Sequence, residues 1–316
     1  MTTALLLGSY LLLAGSVLVP LLARAVWTQH TPRLALWLWH LLTGSLVLAA
    51  VLLGLALAMP RLPESTQPTG WFHACVLALQ LAYTTPGGAA LATLGLALAG
   101  LVLARACSSV LVEWYHTARQ GRDHRQTLSV VGWWDERVAA TVVEHATPVA
   151  YCLPGRTGDI VLSTAALQTL DDSERAAVLA HERAHLRGRH DLHRIWARGL
   201  ERAFGCVAVF ATGRAAVDRL TELVADDAGS RANGPLTVAS AVLRLAQGNA
   251  PATGRAAAAA AGTATAARVR RLMDGPPPLS PWRLLVGALV VVVPAGFGIA
   301  AVTGSVLAGL ACCPVH

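Results

Sequence analysis

Three histidines and two acidic residues lie within thirteen positions of the chain, in the stretch LAHERAHLRGRHD at 179–191. His181 and His185 are four residues apart, so on a helix they project from one face and can bind the same metal ion. Imidazole nitrogens are common ligands of zinc. Glu182 is rotated by about 100° around that helix, where it can act as a general base on a metal-bound water. The spacing therefore predicts a hydrolytic Zn2+ centre.

A catalytic zinc site needs a third protein ligand and leaves a fourth position for water. Glu222, in the segment TELVADDAG, lies 37 residues beyond the second zinc-binding histidine, on a helix that the pattern predicts over 214–230. Asp226 is four residues further on and shares that helix face. It can hold a ligating imidazole through the second ring nitrogen, in the outer shell of the site.

Asp191 is the alternative third ligand, because HERAHLRGRHD also fits the spacing of a small group of secreted metzincins. That group needs a methionine turn downstream, and the only later methionine is Met273, close to the end of the polar region. The sequence therefore favours Glu222.

Other polar residues near the cluster are assigned less specific roles. His190 and His193 are expected to be exposed on the next helix and not to be ligands. A group that stabilises the carbonyl oxygen is expected opposite the zinc. Arg231 and Arg244 are candidates, although each is better explained as a surface charge.

The elements around the cluster can also be predicted. Asp171 lies three residues before Glu174, the spacing of a capping box, and Gly188 stands where a helix would end, which predicts a helix over 172–187. Two short strands, Val149–Leu153 and Ile160–Ser163, flank a Pro-Gly and Gly-Asp turn. The low-complexity segment 254–269 is interpreted as a flexible or loosely helical linker.

The rest of the chain is unusually apolar, with 54% hydrophobic and only 14% charged residues. Such a composition favours a membrane protein over a soluble domain. Uncharged runs long enough to cross a bilayer of about 30 Å lie at 4–23, 34–59, 87–104 and 284–310. The apolar segment 71–83 is too short to cross and is interpreted as a helix in the outer interface. These patterns predict three spans before the polar region and one after it.

The arginines predict the orientation of these spans. Arg24 and Arg33 share a side with the arginine-rich block 105–283, which places that block in the cytoplasm and both termini outside. The net charge is +7, and every basic residue is an arginine. We interpret this positive charge as an indication of how the spans are oriented in the membrane and expect no direct binding of nucleic acid. Cys75, Cys312 and Cys313 would then all be outside, where Cys75 can pair with either of the others.

The predicted fold is thus a polytopic α-helical membrane protein with four spans and a cytoplasmic α+β zinc-binding domain between the third and fourth. The predicted divisions are 1–112 for the first three spans, 113–281 for the cytoplasmic domain and 282–316 for the last span. The spans hold no acidic residue or arginine that would mark an ion pathway, which argues against a transporter. A membrane sensor or scaffold with structural zinc, or with none, is the competing class.

The combination of HERAH and ELVAD, preceded by IVLSTAAL and by three apolar runs, resembles the BlaR/MecR family of integral-membrane gluzincin peptidases. The resemblance implies a zinc endopeptidase of the plasma membrane, with His181, His185 and Glu222 as ligands, Glu182 as base and Asp226 in the outer shell. It also implies that the strand 160–163 offers an edge to an extended substrate. The best-known members end in an extracellular penicillin-binding domain, which is not expected after the fourth run here.

The partners that the resemblance implies are a protein or peptide substrate, either a DNA-binding repressor or the protein itself, and the lipid bilayer. A homodimer is compatible with the sequence. The HtpX-type quality-control peptidases share both motifs but have two spans on either side of the zinc domain. They are therefore the second interpretation.

Overall fold

The fold was analysed in a computed structural model that describes residues 2–58, 80, 83, 87–155, 158–248 and 255–275. Three predictions lie outside these residues: the fourth span at 284–310, the cysteine pairing, and the interfacial helix at 71–83 apart from Gln80 and Tyr83.

Ten α-helices and four β-strands make up the described part of the chain. The helices are α1 (Thr2–Leu13), α2 (Val19–Arg24), α3 (Pro32–Ala58), α4 (Gly88–Val131), α5 (Thr164–Thr169), α6 (Asp172–Arg187), α7 (His190–Phe204), α8 (Ala208–Asn233), α9 (Pro235–Gly248) and α10 (Arg255–Asp274). The strands are β1 (Gly132–Asp135), β2 (Ala140–Val143), β3 (Ala150–Cys152) and β4 (Ile160–Ser163). A π-helical turn at Ala14–Leu18 joins α1 to α2.

Three helices are long and apolar enough to cross a membrane, namely Thr3–Arg24, Pro32–Ala58 and Gly88–Val131. They coincide with the first three predicted runs. Helix α4 has 44 residues, which is about 66 Å of helix and twice what a bilayer requires. Its second half is polar and leads directly into β1, so the last of the three apolar helices is continuous with the start of the polar region.

Helices α3 and α4 approach each other closely at two small residues. A Cβ atom added to Gly54 would lie 2.6 Å from the carbonyl oxygen of Gly95 and 2.8 Å from the amide nitrogen of Ala99. Without a side chain at either glycine the two backbones come into direct contact, which is how apolar helices commonly associate when water does not drive them together.

The polar region is not separate from the apolar helices, because both contribute to one hydrophobic cluster. Trp39 and Leu42 of α3 are almost fully buried there with Leu200 of α7 and Leu220 of α8. The apolar residues and arginines of 194–211 fit either packing in a core or contact with the inner leaflet. The structure places Leu200, Val209 and Phe210 in the shared core and leaves Trp196 and Val207 exposed, so α7 and α8 are held by α3 through part of this segment.

The four strands form one sheet in the order β1-β2-β4-β3. Strands β1 and β2 are antiparallel, β2 and β4 parallel, and β3 and β4 antiparallel. The strand prediction at Ile160–Ser163 is confirmed. Its expected role as an edge is wrong, because β4 is paired on both sides. The edge next to α6 is β3, which follows a turn that reverses the chain.

Helix α6 begins and ends where the sequence predicts. Asp171 accepts a hydrogen bond from the Glu174 amide and Glu174 accepts one from the Asp171 amide, so the capping box is confirmed. The helix ends at Gly188, and Arg189 adopts a positive φ of 48°. This reversal starts α7 immediately, which brings its first turn back against the end of α6.

The segment 254–269 is interpreted from the sequence as a flexible or loosely helical linker, and the structure favours the helical alternative. Residues 255–269 belong to α10, which has 20 residues and packs against α9. Alanine is the strongest helix former, so the alanine-rich composition that suggests low complexity also stabilises a helix. Arg271 fixes α10 by donating to the backbone oxygen of Gln29 and to Asp227.

We predict that Gly54→Ala lowers the melting temperature of the chain in detergent, because the new methyl group would force α3 and α4 apart. Gly44→Ala, on the same helix, is the matched control, since its nearest neighbour would be a Trp196 ring atom at an ordinary 3.9 Å. The control should be neutral or slightly stabilising, as alanine favours helix by about 1 kcal/mol over glycine. Equal melting temperatures for the two variants would contradict the close contact.

Candidate metal centre and cleft

His181, His185 and Glu222 come together between α6 and α8. One ligand atom of each lies within 4.8 Å of the others. The two histidine Nε2 atoms are 3.1 Å apart, and each lies 3.6 Å from a carboxylate oxygen of Glu222. A tetrahedral zinc ion with bonds of about 2.0–2.1 Å sets its ligand atoms about 3.3 Å apart. The spacing of these three side chains fits such an ion.

The protonation of the cluster also fits a cation. Burial opposes the charged form of His181, but hydrogen bonds with Asp226 and Glu222 outweigh it and raise the pKa to about 9. Burial lowers the pKa of His185 to about 3. At neutral pH His181 is therefore protonated, so the pair of rings carries one proton more than two neutral imidazoles. A metal ion would take the place of that proton, and binding would release it to solvent.

Glu222 is held between two arginines. Arg194 of α7 donates to its Oε1 at 2.7 Å, and Arg268 of α10 lies 3.1 Å from its Oε2. Burial raises the pKa of Glu222, but the hydrogen bond with His181 and the charge of Arg268 outweigh burial and lower the pKa strongly. The carboxylate is therefore ionised and fixed in orientation before any ligand binds.

Asp226 lies on the side of His181 that faces away from the other ligands. Its Oδ1 is 3.1 Å from His181 Nδ1, and the residue is fully buried. Arg268 donates two hydrogen bonds to the same carboxylate. This geometry directs Nε2 of His181 towards the cluster. Residues four apart on α8 thus serve both nitrogens of one imidazole, the arrangement typical of metal-binding histidines.

His190 contacts the Nδ1 atom of His185, as Asp226 contacts the Nδ1 atom of His181. Its Nδ1 is 2.7 Å from His185 Nδ1, and only 2% of the residue is exposed. The prediction that His190 is exposed is therefore wrong. His193 is half-buried and pairs with His40 at 2.8 Å, so it is not simply a surface residue either. The chain reverses tightly at Arg189, which brings His190 against the end of α6. No pattern in the sequence predicts this reversal.

Glu182 lines the cleft beside the cluster without joining it. Burial raises the pKa of its carboxyl group. The Cys152 thiol of β3 donates a hydrogen bond to it, and burial together with the charge of Glu182 raises the thiol pKa to about 12. Cys152 therefore stays protonated at neutral pH. A carboxyl group with a raised pKa, beside the three candidate metal ligands, is suited to accept and return a proton.

The remaining candidates do not belong to the three-ligand group, although Asp191 lines one of the cavities at the cluster. Asp191 is 3.9 Å from Arg189 and is not part of the three-ligand group. Arg244 pairs with Glu174 and the Thr169 backbone, so it cannot reach the cleft. Arg231 lines a different cavity. The arginines beside the cluster, Arg194 and Arg268, were not identified from the sequence, because nothing in the order of residues relates α7 or α10 to the site.

The cluster lies where two cavities meet. One, of about 240 Å³, is walled mainly by apolar side chains of α6 and α9. The other, of about 380 Å³, is more polar and is walled by α6 and α7. Ala150 of the edge strand β3 lines both. The cleft can thus hold an extended chain along β3, with the cluster at its middle.

Comparison with protein families gives a match over part of the chain. Residues 124–274, just under half of the chain, match the model of peptidase family M48. Neither a curated protein nor a solved structure matches the chain. The matched segment includes the four strands and α5 to α10, and so the whole cluster.

The match supports a metallopeptidase of the gluzincin type, in which two histidines and a glutamate bind the metal. Together with the three long apolar helices, it indicates a membrane-associated metalloprotease. M48 peptidases are typically zinc-dependent, and the donor set here suits zinc.

Replacing Glu222 and Asp191 separately should distinguish the two candidate third ligands. Glu222→Ala should reduce bound zinc from about one ion per chain to almost none, because only two ligands remain. Asp191→Ala should keep about one ion. Zinc in the purified protein is measured by mass spectrometry of the element. Loss of zinc from the Asp191 variant alone would contradict the ligand set.

Arg268→Met should destabilise the folded chain by about 3 kcal/mol, because it leaves a buried carboxylate at Asp226 without its bidentate partner. Arg270→Met is the matched control, since Arg270 lies on the same helix and is exposed. Thermal unfolding in detergent measures both. Equal melting temperatures for the two variants would show that α10 does not hold the site.

Proposed function

We propose that the protein is a zinc endopeptidase of the plasma membrane. In this proposal His181, His185 and Glu222 bind the ion, Glu182 is the general base, and Asp226 and His190 hold the two imidazoles. The observation that carries the proposal is the three-ligand group at the meeting point of two cavities, with a buried carboxyl group beside it. The match of this segment to a peptidase family supports it independently.

The bound ion would supply a Lewis acid and lower the pKa of water. The residues of the chain do the rest. Glu182 accepts a proton from the attacking water and delivers it to the leaving amine, a role for which its raised pKa is suited. The positive charge that stabilises the carbonyl oxygen comes from Arg194 or Arg268, which flank the cluster.

The substrate proposed for this cleft is an extended segment of a protein. Among the described residues, strand β3 is paired only with β4, so its other side can form backbone hydrogen bonds with a peptide. The Cys152 thiol at this edge contacts the base, which supports a scissile bond near the end of β3 in this proposal. The two cavities would receive side chains on either side of that bond.

We further propose that the active site faces the cytoplasm and that the substrate is a regulatory protein, such as a DNA-binding repressor, or the protein itself. The resemblance to the BlaR/MecR family motivates this role. The shared core of α3, α7 and α8 supports it, because a change among the apolar helices would be transmitted to the ligand-bearing helix. HtpX-type quality control is the second candidate, favoured by a cleft that is open along the edge of β3.

Glu182→Gln should bind zinc normally but cleave at least about 100-fold more slowly, because the amide cannot accept the proton. The measurement pairs zinc content with cleavage of a substrate by the purified chain. The control is Glu201→Gln, which removes a partly exposed glutamate paired with Arg214 away from the cleft.

Retained cleavage by the Glu182 variant would contradict the mechanism. The two candidate roles are distinguished by identifying the proteins that accumulate uncut in cells with the Glu182 variant. A single regulatory protein is expected for the first, whereas many damaged membrane proteins would favour the second.

A further inference from the structure

A further cavity, separate from the two that meet at the cluster, lies on the face of α6 opposite to the metal centre. Its volume is about 610 Å³. Arg183 and Arg187 are each two residues beyond a zinc-binding histidine, which places them about 200° around the helix, away from the cleft. Four arginines line this cavity, which we call the arginine cavity: Arg33, Arg183, Arg187 and Arg231.

The charges of the arginine cavity are not balanced. No carboxylate in the described part of the chain lies within 4.0 Å of these four guanidinium groups, and no aspartate or glutamate is among the residues that line the cavity. The arginines around the metal centre behave differently, since Arg194 and Arg268 each pair with acidic side chains. Four unpaired guanidinium groups around one cavity create a strong positive potential that favours an anion.

The cavity lies at one end of an apolar helix. Arg33 is in the first turn of α3, and Leu36 and Trp37 form the wall on that side. From this wall an exposed apolar stripe continues along α3, through Leu34, Trp37, Leu41 and Leu48. Tryptophan is enriched where a membrane meets water, and the basic residues Arg24 and Arg33 mark the same level. The cavity is thus at headgroup depth, beside a surface for acyl chains.

We infer that the arginine cavity binds the anionic headgroup of a membrane phospholipid. The guanidinium groups hold the phosphate through paired hydrogen bonds, for which their planar shape is suited. The acyl chains lie along the exposed stripe of α3. An acidic peptide would satisfy the charges but would leave that stripe uncovered, so a lipid accounts for both features. Basic pockets at the inner side of membrane helices are a common form of lipid site.

The test uses the full chain in nonionic detergent and native mass spectrometry to count bound dioctanoyl phosphatidylglycerol. The zwitterionic dioctanoyl phosphatidylcholine should bind at least ten-fold more weakly, because its ammonium group meets the arginines. Arg183→Gln combined with Arg187→Gln should weaken binding of the anionic lipid by about twenty-five-fold, at about five-fold for each arginine. The double variant of Arg119 and Arg122, two exposed arginines of α4, is the control and should bind like the unaltered chain.

Three results would overturn the inference. Equal binding of both lipids would show that charge does not select the ligand. Equal binding by the double variant would show that the lipid binds elsewhere. Displacement of the lipid by equimolar inorganic phosphate or by an acidic peptide would show a site for soluble anions or for a protein. If the double variant does not fold, Arg33→Gln replaces it, with an expected loss of about five-fold.

Discussion

Two imidazole nitrogens that face each other at 3.1 Å repel unless a proton or a metal cation lies between them. The site depends on this constraint. Asp226 and Glu222 favour the positive charge, and His190 and Asp226 hold the rings so that Nε2 of each points inward. Arg268 and Arg194 then prevent the two carboxylates from repelling each other. The result is a cluster that accepts a proton in the free chain and is arranged for a divalent ion.

Much of this could be predicted from the sequence because it depends on local spacing. The capping box and Gly188 set the ends of α6, and the four-residue interval sets the shared face of His181 and His185. Contacts between distant segments could not be predicted. Arg268 reaches the site only because α10 folds back over α8, and its alanine-rich sequence gives no sign of a partner. The position of β3 at the edge of the sheet could not be predicted for a similar reason, because strand order depends on how all four strands pair.

The apolar helices and the ligand-bearing helices form one structure. Trp39 and Leu42 of α3 pack with Leu200 and Leu220, and Leu220 is two residues from Glu222. Helix α6 has ligands on one face and the arginine cavity on the other. A displacement of α3 in the membrane, or a lipid in that cavity, would therefore act on the same two helices that hold the cluster. In the proposed function, this shared packing is the physical route by which the bilayer would act on the catalytic centre.

The most direct test of the central claim is X-ray absorption at the zinc edge of the purified full chain. One ion should be bound by two imidazole nitrogens and one carboxylate oxygen at about 2.0–2.2 Å, with a fourth light atom from solvent. Histidine multiple scattering from two rings would support a common ion for His181 and His185. A shell of sulfur ligands near 2.3 Å, or a site with one imidazole only, would contradict the coordination on which the account depends.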